Sequence, residues 1–370
     1  MTITVSTVAS RSDLRAFVLY PYRKYRDDPN WVAPLRMAQF EILDPAKNPF
    51  WEHARRTLYL ARDSGVVVGR IALIDDDLHN RTHDENIAFF GFFEAADEEV
   101  AKALFAAVER DAKALGRASV RGPANPTMND GAGFQLDAFD ERPFVMMPQS
   151  PPEYPAWAAA AGYEKIKDLY TFYLVNHGTV PERVRRLTER SRQRYQPVIR
   201  AADMKRFDDE VKILKRIHDA AWEKNWGNVA FTDAEMAHLA DELKMIIDPD
   251  LALFLEYKGE PVGVCIAVPD VNQVFARFDG RLLPFGIFHL LRRKRIIDRA
   301  RLVMLGVLPE HRNKGFDLVL IEEVVKRAHA NGIVGGECGW TLEDNRAINR
   351  AIEAVGGVRS KTYRMVQKDL

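Results

Sequence analysis

The chain has 370 residues, of which 47% are hydrophobic and 29% are charged, and its 53 basic residues equal its 53 acidic residues. This length exceeds the size at which one core usually stops growing, so we expect two domains. The balanced charge argues against a nucleic-acid partner, the lack of a long apolar run argues against a membrane span, and the two cysteines lack metal-site or disulfide spacing.

The first half, residues 1–175, is predicted to be an α/β domain. A helix near residues 12–20 precedes a strand pair in TLYLARDSGVVVGRIALID and a third strand in NIAFFGFF. An amphipathic helix follows in DEEVAKALFAAVERDAKALG, where apolar residues recur with helical period. A short strand, a turn-rich segment, a helix and a closing strand complete this half. Residues 176–196 are polar and basic, and predict a helical linker.

The second half, residues 197–370, repeats this order of elements. It begins with a strand, a helix and a hairpin that turns at KGE. The strand RARLVMLGV, the helix KGFDLVLIEEVVKRAHANG, the strand GECGWTL, a further helix and the strand SKTYRMVQK follow. The repeated order favours two related α/β domains with mixed sheets. Cys265 and Cys338 fall on predicted strands, where we expect reduced thiols.

A loop in VLPEHRNKGFDLVL, residues 307–320, joins an apolar strand to an apolar helix. A glycine-containing loop that opens a helix presents unpaired N–H groups at the positive end of the helix dipole, which suits phosphate. The first half instead enters its long helix through carboxylates that repel a diphosphate: Glu94, Asp97, Glu98 and Glu99. We therefore expect one anion site, in the second half.

The pattern of Val307, Pro309, Arg312 and Gly315 resembles motif A of the GNAT acyltransferases. This resemblance implies two tandem GNAT-like domains, of which the first is degenerate. It also implies that the loop holds the pyrophosphate of coenzyme A while the preceding strand binds its pantetheine arm. The implied cofactor-binding residues are Leu305, Gly306, Val307, Arg312, Asn313, Lys314, Gly315, Phe316, Asp317 and Asn345.

Three positions depart from that family. Asp317 replaces a small residue, and its carboxylate would either cap the helix or repel pyrophosphate. In TLEDNRAINRAIEAVGG, Ile352 replaces the tyrosine that often protonates the leaving thiolate, and Gly357 replaces an aromatic residue. Either another residue supplies the proton, for which Tyr363 is a candidate, or the thiolate leaves unaided.

Longer phrases cover most of the chain, among them GPANPTMNDGAGFQLDAFDERPFVMMPQSPPEYP and ECGWTLEDNRAINRAIEAVGGVRSKTYR. They resemble the bacterial ceramide synthase-like family of tandem GNAT proteins. The resemblance implies acyl-CoA as co-substrate, no metal, a sphingoid base as acceptor amine and a ceramide-type product. Two alternatives stay open: a short-chain N-acetyltransferase of a metabolite or peptide, and a non-catalytic acyl-CoA or lipid-binding module.

Residues 282–295, LLPFGIFHLLRRKR, join an apolar patch to a cationic cluster. The pattern is typical of an interfacial element on an anionic membrane, and equally of a buried helix that ends in a basic turn. We expect a cytoplasmic protein, with peripheral contact at the inner membrane surface under the first interpretation.

Acyl transfer to an amine needs a base and a polarised carbonyl oxygen. Backbone N–H groups around residues 305–307 are expected near that oxygen. Glu337 and Glu343 flank a strand and are both candidates for the base, although Glu343 could instead cap the next helix. In the first half, a cluster could bind a polar acceptor head or simply form a tight turn: Asn125, Asn129 and Asp130.

Overall fold

The computed structural model describes residues 2–282 and 286–370. They form two compact units, of which unit 1 comprises Met1–Leu169, Phe275–Phe288 and Lys361–Leu370, and unit 2 comprises Tyr170–Val274 and His289–Ser360. No helix in the described part of the chain is long and apolar enough to span a bilayer.

Unit 1 is a mixed sheet with helices between its strands. Its strands are β1 (Ile3–Thr7), β2 (Ala54–Asp63), β3 (Val66–Asp76), β4 (Ile87–Ala95), β5 (Ser119–Gly122), β6 (Phe134–Gln135), the first part of β7 (Glu164–Val175) and most of β13 (Val358–Asp369). Its helices are α1 (Arg11–Lys24), α2 (Arg36–Glu41), α3 (Asp77–His83), α4 (Glu98–Ala114) and α5 (Tyr154–Ala160). The strand order is β1-β2-β3-β4-β5-β13.

Unit 2 has the same kind of sheet. Its strands are the end of β7, β8 (Val198–Ala201), β9 (Ala252–Tyr257), β10 (Glu260–Pro269), β11 (Arg299–Val307) and β12 (Gly335–Leu342). Its helices are α6 (Glu182–Tyr195), α7 (Phe207–Trp222), α8 (Asp233–Lys244), α9 (Asn272–Phe275), the end of α10 (Ile287–Leu291), α11 (Arg293–Ile296), α12 (Phe316–Ala330) and α13 (Arg346–Ala354). The strand order is β8-β9-β10-β11-β12.

The two units share one plan, as the repeated order of elements predicts. In each, three antiparallel strands (β2-β3-β4 or β9-β10-β11) are followed by a long helix and a strand parallel to the third. The third strand of each unit has a β-bulge with one extra residue. In β4 the bulge lies between the partners of Arg70 and Ala72, and in β11 the extra residue is Val303. The predicted hairpin is confirmed, with Lys258 and Gly259 at positive φ in its turn.

The bounds of the compact units differ from the expected 1–175 and 197–370. Residues 361–370 belong to unit 1 because β13 pairs antiparallel with β5, with Val366 opposite Gly122. The expected linker, residues 176–196, contains α6, which belongs to unit 2. There Val184 packs with Ile321 and Val325 of α12. A division of the sequence into consecutive domains does not predict either feature, because strand pairing and helix packing join segments that are distant in the chain.

A buried polar network lies inside unit 1. Glu94 is 8% exposed and accepts hydrogen bonds from the hydroxyl groups of Tyr25 and of Tyr154, the latter at 2.7 Å. Lys24 Nζ lies 3.9 Å from the Glu94 carboxylate. Burial, followed by the charge of Glu94, raises the pKa of both tyrosines, so they stay protonated as donors.

Removal of the carboxylate at Glu94 should destabilise unit 1. Glu94→Ala leaves the buried donors without their acceptor, and we expect a loss of about 3 kcal/mol. This corresponds to a fall of roughly 6–12 °C in melting temperature for a unit of this size. Glu164→Ala, at an exposed carboxylate on β7, serves as the control and should change the melting temperature little. Equal melting temperatures for the two variants would contradict the role of the network.

Candidate functional site

The candidate site begins where two parallel strands of unit 2 separate. β11 and β12 pair from Arg299 opposite Gly335 to Leu302 opposite Cys338, and no further. The bulge at Val303 lies immediately beyond the last pair and bends β11. Residues 303–307 of β11 and 339–342 of β12 therefore border an open gap in the sheet, which we call the crevice.

Backbone N–H groups of β11 point into the crevice. The N–H of Leu308 donates to Val262 O across the β10 edge at 2.9 Å. Because N–H groups alternate between the two edges of a strand, those of Leu305 and Val307 are directed away from β10, toward the crevice. This is the place where the sequence predicts donors to a carbonyl oxygen or a pantetheine chain.

The loop from Leu308 to Gly315, which we call the anion loop, connects the end of β11 to α12. A 3₁₀ turn, Pro309–His311, is followed by two left-handed residues, Asn313 at φ 65° and Gly315 at φ 75°. Among the described residues, no side chain caps the N-terminus of α12. The first N–H groups of this helix are thus directed at the loop, in the arrangement that binds phosphate groups.

Two cationic side chains stiffen the anion loop. Arg312 donates to Ala221 O at 2.9 Å, which ties the loop to the C-terminus of α7. Lys314 Nζ donates to Glu310 O at 2.8 Å and lies 3.2 Å from His311 Nδ1. Burial and, after it, the charge of Lys314 lower the pKa of His311, so its neutral ring can accept this hydrogen bond.

Neighbouring elements hold the backbone of the anion loop. Ser191 of α6 donates from Oγ to Lys314 O at 2.7 Å. Phe316 is 1% exposed and its ring contacts Tyr195 and Tyr257, with centroids 5.7 and 5.5 Å away. Phe316 can therefore contribute to a site only through its backbone. Of the predicted cofactor residues, those from 305 to 317 lie together along β11, the loop and the first turn of α12.

Asn345 lies elsewhere in unit 2. It is the N-cap residue of α13, where its side chain accepts from the N–H of Ile348 at 3.4 Å. Ile352 of the same helix is 2% exposed and packs with Phe172 and Cys338 in the core. The position of the family's tyrosine is thus filled by an aliphatic core residue. The role of Asn345 in cofactor binding stays a prediction.

The three predicted catalytic residues do not come together as one cluster. Glu337 is 1% exposed and lies opposite Arg301 in the paired part of β12, two residues before the crevice begins at residue 339. Glu343 is half-buried and follows the end of β12, six residues further along the chain. Tyr363 is fully buried in unit 1, opposite Gln135.

Sequence reasoning missed Trp222. This last residue of α7 lies against β11, so that a Cβ on Gly306 would be 2.4 Å from its ring. The ring of His218 stacks on it at 4.8 Å, and burial lowers the pKa of His218. A glycine within an apolar strand is the signal that could have indicated a close approach at Gly306.

Alternation along the strands shows which face Glu337 shares. Cys338 packs toward Ile352 of α13, so Glu337 is directed to the opposite face of the sheet. Gly306 contacts Trp222 on that same opposite face. The preceding residue, Leu305, packs with Ile321 of α12 on the other face. Glu337 and Trp222 therefore lie on the same face of unit 2.

The two cysteines are free and buried on strands, as predicted. Burial raises the pKa of Cys338 to about 12, and the neighbouring charge of Glu337 adds to this. Burial also raises the pKa of Cys265. Because the thiolate is the nucleophile, neither residue is suited to covalent acyl transfer at neutral pH.

The described residues of unit 1 form no equivalent of the crevice. β4 and β5 also stop pairing after Phe89 and Arg121, but the segment that follows β5 lies along the unpaired edge of β4. The N–H of Ala124 donates to Phe90 O at 2.9 Å, and the N–H of Phe92 donates to Asn125 Oδ1 at 2.5 Å. At the start of α4, the Asp97 side chain accepts from the N–H of Val100. The protein's own groups thus occupy the donors that unit 2 leaves available.

The cluster at residues 125–130 is a turn. The N–H of Asn125 donates to Gly131 O, and the N–H of Asn129 donates to Thr127 Oγ1. Thr127 in turn donates to the Asp130 carboxylate at 2.6 Å. These contacts favour the turn interpretation over an acceptor-binding cluster.

Asp317, in the first turn of α12, should weaken anion binding. A carboxylate there opposes a bound pyrophosphate across the helix end, so Asp317→Ala should tighten acyl-CoA binding by about two- to fivefold (roughly 0.3–1 kcal/mol) at low ionic strength. Isothermal titration with a non-hydrolysable acyl-CoA measures the change. Asp208→Ala in the first turn of α7 is the matched control. Weaker binding by the Asp317 variant would mean that the carboxylate orders the loop.

Solved structures of low sequence identity share this fold. A tandem GNAT protein from the clavulanic acid biosynthesis pathway matches with a TM-score of 0.57 at 13% identity, over 100% of this chain and 98% of that one. A GCN5-related N-acetyltransferase from Sphaerobacter thermophilus matches with a TM-score of 0.52 at 12% identity, over 99% of this chain and 95% of that one. No protein-family model matches the sequence. The fold is that of a tandem GNAT protein.

Two curated proteins align with the whole chain. The bacterial ceramide synthase of Caulobacter vibrioides is 35% identical over 379 residues, which cover 100% of this chain and 98% of that protein. Protein YghO of Escherichia coli K12 is 32% identical over 374 residues, which cover 99% and 95%. The chain belongs to the bacterial ceramide synthase-like family of tandem GNAT proteins.

Proposed function

We propose that this protein transfers a long-chain acyl group from acyl-CoA to the amine of a sphingoid base. The observation that carries the CoA part is the uncapped start of α12 behind the anion loop, at the end of a strand whose N–H groups line an open crevice. The acceptor part rests on the name of the Caulobacter relative, which is a bacterial ceramide synthase.

The crevice fits a pyrophosphate followed by an extended chain. The N–H groups of the anion loop and α12 would hold the pyrophosphate, with Arg312 and Lys314 beside them. The pantetheine arm would follow the crevice edge of β11 from Val307 back to Leu302, a distance of about 16 Å along the strand. Its thioester end then lies level with residues 337 and 338, since Leu302 is opposite Cys338.

This path favours Glu337 over Glu343 as the base. Glu337 lies at the closed end of the crevice, and Glu343 follows the end of β12, six residues further along the chain. The nitrogen of the acceptor forms a bond to the thioester carbonyl carbon, the C–S bond breaks, and Glu337 takes the proton that the amine loses. The proton then passes to the departing thiolate. A thiol pKa of about 8.5 makes an unassisted departure feasible.

The segment 282–295 supports a lipid acceptor. Residues 283–285 of this segment lie outside the described residues. Beyond them, Phe288 is 58% exposed and Leu291 is 76% exposed, and the exposed cations Arg292, Lys294 and Arg295 follow. Exposed apolar side chains beside cations favour contact with an anionic membrane surface, from which a sphingoid base could be taken.

Release of free thiol tests the proposal. Purified protein is given acetyl-, medium- and long-chain acyl-CoA, with and without a sphingoid base, and the products are identified by mass spectrometry. We expect thiol release that needs both the long-chain donor and the base, with an amide product. Turnover with acetyl-CoA as the only accepted donor would indicate a short-chain N-acetyltransferase. Saturable acyl-CoA binding without thiol release would indicate the binding module that Asp317 and Ile352 suggest.

A further inference from the structure

A large cavity in unit 1 has no part in the proposed transfer. It measures about 1040 Å³ and lies between α1, residues 25–36 that follow it, Arg142, and the returning segment 275–281. The size is that of a pocket for a drug-sized or lipid headgroup ligand. Seven arginines line it against two aspartates, so we call it the arginine cavity.

Most of this positive charge is uncompensated. Arg36 pairs with Asp279, Arg142 donates to Pro29 O at 3.0 and 3.1 Å, and Arg23 donates to Val67 O at 3.2 Å. The others form no ion pair with any residue that the structure describes: Arg15, Arg26, Arg277 and Arg281. Guanidinium groups gathered around one cavity repel each other, and an anionic ligand would relieve that repulsion.

Beneath the arginines lies an aromatic floor. Trp31 contacts Tyr22 and Tyr25, with ring centroids 5.3 and 5.5 Å away, and the Arg36 guanidinium lies 4.8 Å from the centre of the Tyr22 ring. Phe275 and Phe278 contribute a second aromatic pair at 5.7 Å. The cavity therefore offers cations at its rim and apolar rings below, which suits an amphiphile rather than a simple ion.

The floor is fixed in place. The hydroxyl of Tyr22 donates to Pro34 O at 2.7 Å, and the N–H of Arg36 donates to Gly280 O at 3.0 Å. A Cβ on Gly280 would be 2.3 Å from Pro34 O, which shows how closely the segments 34–36 and 278–280 approach. The Tyr25 hydroxyl donates to the buried Glu94. These contacts preorganise the cavity, which lowers the cost of binding.

We propose that the arginine cavity binds the phosphate group of an anionic phospholipid, with the start of its apolar chains on the aromatic floor. Planar guanidinium groups hold phosphate oxygens in pairs, and several of them suit an ester that carries full negative charge. The same cations repel the ammonium form of a sphingoid base, so this cavity is not the acceptor site of the proposed reaction. We infer that a bilayer is the source of the ligand because Phe288, which is 58% exposed and apolar, belongs to the same segment of unit 1 as the lining residues Arg277 and Arg281.

Vesicle binding by the full chain tests this site. The protein is sedimented with phosphatidylcholine vesicles that contain or lack phosphatidylglycerol. The variant Arg15→Gln/Arg26→Gln/Arg277→Gln removes three lining charges, and Lys102→Gln/Arg110→Gln/Lys113→Gln removes three exposed charges from α4 outside the cavity. We expect the cavity variant to lose tenfold or more of the phosphatidylglycerol-dependent affinity, and the α4 variant to lose about twofold or less. Equal losses, or none, would overturn the proposal.

Two further measurements separate specific from general attraction. Arg26→Lys/Arg277→Lys keeps the charge and the fold but loses the guanidinium geometry, and it should bind several-fold more weakly. Binding at wild-type strength would point to charge alone and overturn the site. Titration with a water-soluble short-chain phosphatidylglycerol should saturate. Equally tight binding of inorganic phosphate or ATP would assign the cavity to soluble phosphates and overturn the lipid source. None of these measurements requires turnover.

Discussion

Replacement of Glu337 by glutamine is expected to lower kcat by about a hundredfold to ten-thousandfold, the range that a general base contributes. Glutamine has nearly the same shape, so the variant keeps the packing of β12 while losing the group that accepts the amine proton. The KM for acyl-CoA should stay within about twofold of wild type, because the anion loop is unchanged. Steady-state thiol release over a range of pH measures both quantities.

The matched variant is Glu343→Gln. Glu343 follows the end of β12, six residues beyond Glu337 in the chain and away from the closed end of the crevice, so its loss should leave kcat within a few-fold of wild type. If Glu343→Gln were the inactive variant and Glu337→Gln the active one, the thioester would lie at the open end of the crevice. Acyl-CoA titration and a melting curve establish that each variant is folded and binds its co-substrate.

Substitution of Gly315 by valine should raise the Kd for acyl-CoA by about tenfold to a hundredfold, which is roughly 1.4–2.8 kcal/mol. At φ 75° a β-branched residue is strained, and the backbone will move toward negative φ. Space is not the obstacle, since an added Cβ would be 3.6 Å or more from its nearest neighbours on Ser191. The movement would turn the first N–H groups of α12 away from the pyrophosphate.

A second glycine provides the control for this experiment. Gly116 follows α4 in unit 1 at φ 76°, and an added Cβ there would meet nothing within 4 Å. Gly116→Val therefore carries the same backbone strain without touching the anion loop. Both variants should melt at similar temperatures, and only the Gly315 variant should lose affinity. Equal affinities would mean that the loop amides do not bind the pyrophosphate.

The duplicated plan shows how one copy of a fold loses a site. Both units keep the bulge, the parallel strand pair and the long helix. In unit 1 the Asn125 side chain and Ala124 satisfy the open edge of β4, and Asp97 caps α4. A buried donor that is already paired offers little to a ligand, because binding would first break that hydrogen bond.

Local patterns in the sequence determined much of this protein. The helical period of residues 98–114, the KGE turn with Gly259 at positive φ, and the glycine before α12 each specify an element through nearby residues. The acidic entrance to α4 likewise specifies a local contact, since the Asp97 side chain accepts from the N–H group three residues later. Such features depend on backbone sterics and short-range hydrogen bonds, which neighbours along the chain control.

Tertiary structure alone decided the rest. The bulge at Val303, the end of pairing at Leu302, and the contact of Trp222 with Gly306 arise from strand register and packing across distant segments. The same holds for β13 beside β5, and for an arginine cavity that gathers residues from positions 12 to 281. A residue's own neighbours do not specify these contacts. Their free energy comes from burying surfaces that meet only when the chain has folded, so a single sequence read locally does not reveal them.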